Sequence, residues 1–154
     1  MAVATHVSRV AKEYAPHGYS ILEEVTKTVT TQAGATVTPI VEILNIVSDA
    51  DIFLEDVSVY SLEQINPSDA NFLTIKVASF PAGAASEVVH VNATTKAASL
   101  NGIAQDGIEV APILISVASS NPTQVLALQV TKSANDANIN EKLIAVRVRY
   151  RRKA

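Results

Sequence analysis

The residue types that could carry out catalysis or bind a metal ion are few in this chain and lie far apart. Its three histidines are His6, His17 and His90. Protein metal sites bring several imidazole, thiolate or carboxylate ligands together, often from closely spaced positions. His90 alternates with Val89 and Val91, which indicates a place on the solvent-facing side of a strand. We therefore expect a surface or interface histidine rather than a metal ligand or a general base.

Other enzyme signatures are also missing from the sequence. There is no cysteine, which excludes disulfides, thiolate metal sites and cysteine nucleophiles. The five glycines are isolated, so the chain has neither a Gly-rich phosphate loop nor a Gly-x-Ser-x-Gly turn. "SDADIFLED" holds Asp49, Asp51, Glu55 and Asp56, but no glycine follows to make the sharp turn of a calcium loop. We expect a solvated turn there, and we predict no catalytic residue, no cofactor and no metal ligand.

The charge is distributed unevenly, and the basic end is the stretch "EKLIAVRVRYRRKA". The net charge is −3, yet five of the twelve Lys and Arg residues fall in the last eight positions. The rest of the chain carries all fifteen acids against seven bases. An acidic body argues against wrapping a polyanion over a broad face. The basic end is therefore the part of the chain suited to contact an acidic group.

This basic end has the period of a β-strand. One face carries Ile144, Val146, Val148 and Tyr150, and the other carries Ala145, Arg147, Arg149 and Arg151. Side chains two residues apart share a face and lie roughly 7 Å apart. The pattern predicts a strand with one face in the core and a stripe of guanidinium groups on the other.

Three interpretations of this arginine stripe are open. The arginines pair with acids of a neighbouring strand in the same fold, dock on an acidic surface of another protein subunit, or contact nucleic acid. Nucleic acid has the least support because no interleaved aromatic residues and no second basic patch accompany the stripe. The first two interpretations both use the fit of a guanidinium group to a carboxylate.

After Tyr19 the chain reads as extended segments with β-branched residues at alternate positions. Clusters of Gly, Pro, Asn, Asp and Ser separate about eight such segments. Gly34 is expected in a turn, and Pro39 indicates an edge strand or a bulge because it has no N–H to donate. In a third segment, Phe53 and Val57 occupy alternate positions, which places them on one face. We predict an all-β fold, a jelly-roll-like β-sandwich of about eight strands.

The first eighteen residues follow a different pattern. Val3, Val7 and Val10 lie three or four positions apart, which is typical of a short helix or of an arm with one apolar side. The length of the chain suits one domain. We predict an N-terminal arm over residues 1–18 and a single β-sandwich domain over residues 19–154.

Composition restricts the core and the environment of the protein. Hydrophobic residues make up 48% of the chain and aromatic residues 5%, with no Trp, so the core must consist of Val, Ile, Leu and Ala. The first residues lack the apolar run of a secretory signal. No segment approaches the roughly 18 consecutive apolar residues of a membrane span. We expect a protein that is made in the cytoplasm and does not contact a membrane.

Two stretches, "EEVTKTVTTQAGATVTPIVEILN" and "LALQVTKSANDANINEKLIAVRVRYRR", resemble small structural proteins of tailed bacteriophages in their Thr/Val/Ala-rich alternation. The resemblance covers residues 19–152 and is nearest to capsid decoration, or cement, proteins. It implies a jelly roll or related sandwich that assembles, commonly as a trimer, on the outer capsid surface. Such proteins cross-link neighbouring capsomers against the pressure of packaged DNA, and their termini often reach adjacent subunits.

The sequence therefore favours a virion structural protein, a capsid-decorating or stabilising subunit that acts without catalysis and is located in the virion. The expected partners are the major capsid protein or other virion subunits and further copies of the chain, with a trimer favoured and nucleic acid disfavoured. The expected interface residues come from both chain ends: Val3, Val7, Val10, Arg147, Arg149, Arg151 and Arg152.

A carbohydrate- or receptor-binding β-sandwich module of a phage fibre or tail is the alternative function. Sugar-binding platforms usually need exposed aromatic side chains, and besides three phenylalanines the chain offers only Tyr14, Tyr19, Tyr60 and Tyr150. A jelly-roll enzyme of the cupin type has less support because the three histidines lack metal-ligand spacing.

Overall fold

The computed structural model describes residues 22–48, 50–81, 87–96, 113–116 and 124–153. The predicted arm, with Val3, Val7 and Val10, lies outside these residues. The boundary between an arm and a domain therefore stays a prediction.

Eight β-strands make up the described fold, at the positions where β-branched residues alternate with polar ones. They are β1 (Glu23–Thr30), β2 (Ile40–Ser48), β3 (Ile52–Ser61), β4 (Leu73–Pro81), β5 (Val88–Thr94), β6 (Ile113–Ile115), β7 (Gln124–Lys132) and β8 (Leu143–Arg152). The described residues contain no helix, and thus none that could cross a membrane.

The strands form two antiparallel four-stranded sheets whose order is that of a jelly roll. The first sheet has the order β1-β8-β3-β6 and the second has the order β2-β7-β4-β5. Most consecutive strands therefore belong to opposite sheets, as in two linked Greek keys. The prediction of an eight-stranded jelly-roll-like sandwich is confirmed.

Aliphatic side chains from both sheets fill the core. Its largest fully buried members include Leu44, Ile46, Leu54, Ile75 and Leu128. Each such side chain contributes about 1.5–3 kcal/mol relative to an exposed position. Among the described aromatic residues only Tyr150 joins this cluster, and buried alanines accompany it, so the sequence correctly predicted a core of Val, Ile, Leu and Ala.

Strand β3 departs from simple alternation. Its pairing with β8 shifts between Leu54 and Asp56, which is a β-bulge. Because of the extra residue, Ile52 and Leu54 point into the core together with Val57 and Val59, and all four are buried. The expectation that Phe53 shares a face with Val57 was wrong for this reason. The same bulge turns Asp56 to the outer face of the sheet.

The predictions made from Gly34 and Pro39 agree with the structure. Gly34 has φ 67°, in the left-handed region that favours glycine, and lies in the turn after β1. Pro39 immediately precedes β2, which is an edge strand with a register shift between Ile43 and Ile46. A missing N–H is tolerated at such an edge.

The end of the sandwich that holds the β1–β2 and β7–β8 loops is closed by a buried lysine. Lys132, at the end of β7, is 4% exposed. Its ammonium group donates to Gln32 O at 2.8 Å, to Asn140 Oδ1 at 2.6 Å and to Gly34 O. No carboxylate of the described residues forms an ion pair with it. All three ammonium hydrogens are thus donated to neutral acceptors. Through these hydrogen bonds Lys132 joins the β1–β2 loop to the β7–β8 loop.

Candidate functional site

The arginine stripe lies on a central strand of the first sheet. β8 pairs with β1 on one side and with β3 on the other. Ile144, Val146 and Val148 are fully buried beneath it, as the alternation predicted. Arg147 and Arg149 are on the opposite, outer face, where side chains of β1 and β3 flank them.

Asp56 is the acceptor around which the outer face is organised. Its Oδ2 lies 2.7 Å from Arg149 Nε and 2.5 Å from an outer nitrogen of the same guanidinium group. An outer nitrogen of Arg147 lies 3.6 Å from the same oxygen, and Ser58 Oγ donates to Oδ1 at 3.0 Å. The carboxylate thus neutralises part of the charge of two arginines.

The sequence named Asp56 as part of an acidic cluster but not as a partner of these arginines. The β3 bulge places Asp56 opposite Arg149 in the sheet. Alternation continued from the buried residues Ile52 and Leu54 would place Asp56 in the core instead, and the extra residue of the bulge turns its side chain outward. No signal in the sequence marks the bulge.

Arg147 has a mixed environment. One outer nitrogen donates to Ser58 Oγ at 3.1 Å, and the guanidinium carbon lies 5.7 Å from the centre of the Tyr60 ring. Its Nε is buried and has no hydrogen-bond partner. A buried donor without a partner lowers the stability of the folded protein. The contact with the Tyr60 ring and the carboxylate shared with Arg149 offset part of this loss.

The remaining basic residues of the C-terminal stretch also meet acids of the same chain. Arg151 pairs with Glu55 at 2.5 Å and Arg152 with Glu23 at 3.0 Å. Lys153 Nζ lies 3.5 Å from Asp51 Oδ2. Burial alone lowers the pKa of Arg152, but its hydrogen bonds to Tyr150 and Glu23 outweigh this effect and raise the pKa, so the group stays charged. Pairing within the fold is therefore what the structure shows for this stripe, and a role at an interface stays a prediction.

The same contacts show which groups the carboxylates of the "SDADIFLED" stretch bind. The carboxylates of Asp51, Glu55 and Asp56 face Lys153, Arg151 and Arg149 respectively rather than one another. Within the described ranges, no three His, Asp or Glu side chains come together as metal ligands would. Asp49 lies outside the described residues.

His90 is half-buried, so it is less exposed than the predicted place on the solvent-facing side of its strand would make it. The β4–β5 pairing shifts between Val77 and Ala78, and Val91 and Val89 are their respective partners, so His90 is the extra residue of a bulge. Its Nε2 lies 2.7 Å from Oγ of Ser79, which is buried. A serine and a histidine in contact resemble part of a nucleophilic pair. Burial of the hydroxyl closes it to a substrate, so the contact serves packing.

Burial lowers the pKa of His90 from its ordinary value of 6.5. The folded protein then binds this proton less readily than the unfolded chain, so the contribution of His90 to stability is complete above pH 6.5 and is lost as the pH falls below it. We expect the free energy of unfolding to decrease as the pH falls below 6.5.

The variant His90→Gln keeps a polar side chain but cannot titrate. Urea unfolding at a series of pH values gives the free energy of unfolding at each pH. This free energy should change less steeply with pH for the variant than for the natural chain over that range. An equal dependence of the free energy of unfolding on pH in both proteins would show that His90 has the same pKa in the folded and the unfolded state.

Both ends of the described chain lie at one end of the sandwich. Glu23, the first residue of β1, is opposite Tyr150 near the end of β8. The N–H of Lys153 donates to Asp51 O at 2.9 Å just before β3 begins. The start of β1 is therefore beside the basic C-terminal stretch.

Comparison with known proteins adds little to this picture. No protein-family model and no curated protein matches the sequence. A subviral particle of VP2 from infectious bursal disease virus has a TM-score of 0.42 and 9% identity, covering 86% of this chain and 32% of that chain. The structure of the Gx strain of the same virus has a TM-score of 0.35 and 9% identity, covering 85% and 32%. The chain spans about a third of these structures, and similarity at this level adds nothing to the strand order itself.

Proposed function

We propose that the chain is a virion structural protein, a capsid-decorating or stabilising subunit that binds neighbouring capsid subunits without catalysis. The observation that carries the proposal is the strand order of the two sheets, β1-β8-β3-β6 and β2-β7-β4-β5. This jelly roll is an architecture of viral capsid proteins, and also of lectins and cupins. The resemblance of the sequence to decoration proteins of tailed phages selects the first of these.

The position of the two ends of the described chain supports the same role. The start of β1 and the end of β8 lie side by side, so one end of the sandwich presents both. A subunit that attaches to a particle through its termini needs this arrangement, because a single contact can then hold both. The charged pairs Glu23–Arg152 and Asp51–Lys153 lie at this end.

The described aromatic side chains give less support to the carbohydrate-binding alternative. The Tyr60 ring is covered by Arg147, and Tyr150 is buried. The Phe72 ring has the ammonium of Lys96 at 4.3 Å from its centre. A sugar stacks on an aromatic face that is open to water; these three faces are occupied, whereas Phe80 is 37% exposed. Tyr14 and Tyr19 lie outside the described residues.

Purified particles test the proposal directly. In virions of the virus that encodes this chain, mass spectrometry should detect the chain in a constant ratio to the major capsid protein. The chain should remain with the particles through density-gradient centrifugation. Its absence from particles, with abundant expression in the infected cell, would contradict a virion role.

A truncated chain tests the role of the N-terminal arm. Removing residues 1–18 leaves every described strand intact, so we expect unchanged cooperative unfolding together with at least about a tenfold loss of co-sedimentation with capsids that lack the chain. Truncation at residue 147 is no equivalent test, because it removes half of the central strand β8 and with it the fold. Replacing Arg152 and Lys153 by Gln gives the matched test of the other end. Normal co-sedimentation of both variants would show that the termini do not make the attachment.

A further inference from the structure

The four edge strands of the sandwich differ in how they are protected. Edge strands present unpaired backbone groups, and natural proteins protect them by proline, bulges or short length. β2 begins after Pro39 and has a bulge, β5 has a bulge, and the described β6 has three residues. β1 has none of these devices. Its eight residues pair with β8 in unbroken register, and in the described part of the chain β8 is its only hydrogen-bonded neighbour.

The backbone groups on the free side of β1 can be assigned. At the end of β1 the N–H of Thr31 donates to Lys142 O at 2.9 Å, toward β8. In an antiparallel ladder the backbone groups of successive residues alternate between the two sides. The N–H and C=O groups of Glu24, Thr26 and Thr28 therefore point away from β8, to the free side. The side chains of all three are exposed.

We propose that β1 pairs with β1 of a second copy of this chain, antiparallel and about a two-fold axis, to join two first sheets into one of eight strands. The contact is isologous, as in most homodimers. It is separate from the proposed attachment to a capsid, since it forms between isolated copies.

Side-chain charge selects the register. If Val25 lies opposite Val25 of the second copy, Glu23 lies opposite Lys27 of that copy, and the reverse pair forms by symmetry. These are non-hydrogen-bonded pairs, in which the Cβ atoms lie about 4.5–5.5 Å apart, close enough for an ion pair. Lys27 forms no ion pair in the described chain, whereas Glu23 pairs with Arg152 through one carboxylate oxygen. Glu24 and Thr26 of the two copies then exchange backbone hydrogen bonds on the free side.

A proline at the free edge tests the pairing. Thr26→Pro removes an N–H that points away from β8, so the ladder to β8 is kept while the second copy loses a donor and meets the ring. Thr26→Val is the matched control, because it keeps the N–H and the shape of threonine. We expect sedimentation equilibrium, at up to about 100 µM protein, to show dimers of the natural chain and of Thr26→Val. The dissociation constant of Thr26→Pro should be at least about a hundredfold higher, with a similar unfolding midpoint in urea.

Charge reversal tests the register. Lys27→Glu should raise the dissociation constant about tenfold, because like charges then face each other twice. The double variant Glu23→Lys with Lys27→Glu should restore most of the affinity. Equal affinities of the natural chain and Lys27→Glu would overturn the register.

Two results would overturn the pairing itself, a monomeric natural chain and an unaltered dimer of Thr26→Pro. If the natural chain were monomeric and dimerised after removal of residues 1–18, the chain's own first residues would occupy the edge.

Discussion

The variant Lys132→Met is expected to lower the free energy of unfolding by about 3 kcal/mol. Methionine fills a similar volume but donates no hydrogen bond. Gln32 O, Gly34 O and Asn140 Oδ1 would then lose their shared donor. A buried acceptor without a partner costs about 1–3 kcal/mol, but Gln32 and Asn140 are half-buried and Gly34 is exposed, so water and relaxation of the two loops recover part of the sum. Urea denaturation followed by circular dichroism measures the change.

The control for this prediction is Lys153→Met, which removes a lysine that is largely exposed. The side chain of Lys153 is 55% exposed and pairs with Asp51 at 3.5 Å. Exposed ion pairs contribute about 0–1 kcal/mol, so little change is expected. If the two variants were equally stable, the ammonium of Lys132 would not be what joins the loops.

Asp56→Ala has the second largest expected effect, a loss of about 2 kcal/mol in the free energy of unfolding. The substitution leaves Arg149 and Arg147 without their shared carboxylate, and Ser58 loses an acceptor. Removing one partner of a fully buried ion pair costs about 3–5 kcal/mol. The expected value is lower because the arginine side chains are 39% and 32% exposed and can regain water.

Glu63→Ala is the matched control for Asp56. Its carboxylate pairs with Lys142 at 2.5 Å, but the Glu63 side chain is 64% exposed. A loss below about 1 kcal/mol is expected. Chemical denaturation at low and high salt separates the two sites further, because screening weakens the exposed pair more than the buried one. A loss for Glu63→Ala as large as that for Asp56→Ala would argue that burial does not decide the strength of these pairs.

These two sites suit a protein whose proposed role is mechanical. Lys132 joins two loops at one end of the sandwich, and Asp56 joins β3 to β8 across the outer face of the first sheet. Both restrict motion without creating a reactive group. A subunit that stabilises a particle has to resist deformation, and a sandwich whose loops and strands are joined in this way meets that need.

The sequence alone predicted the strands and their core faces where the pattern is simple. In β8, the alternation of Ile144, Val146 and Val148 with arginines gave the buried and the outer face correctly. Pro39 and Gly34 predicted an edge and a turn. These predictions succeed because alternation and turn preferences are local: they depend on neighbours two or three residues away.

The partners of the charged residues were decided by the tertiary structure. Which acid meets Arg149 depends on a bulge in β3, a strand more than eighty residues earlier in the chain, and Lys132 finds its acceptors in loops on both sides. The half-buried position of His90 depends in the same way on a bulge in the pairing of β4 with β5. One extra residue reverses every later side chain of a strand, and its position is set by the packing of the two sheets rather than by the local pattern. The sequence thus determined the strands and their order along the chain, and only the folded sandwich decided which charges meet.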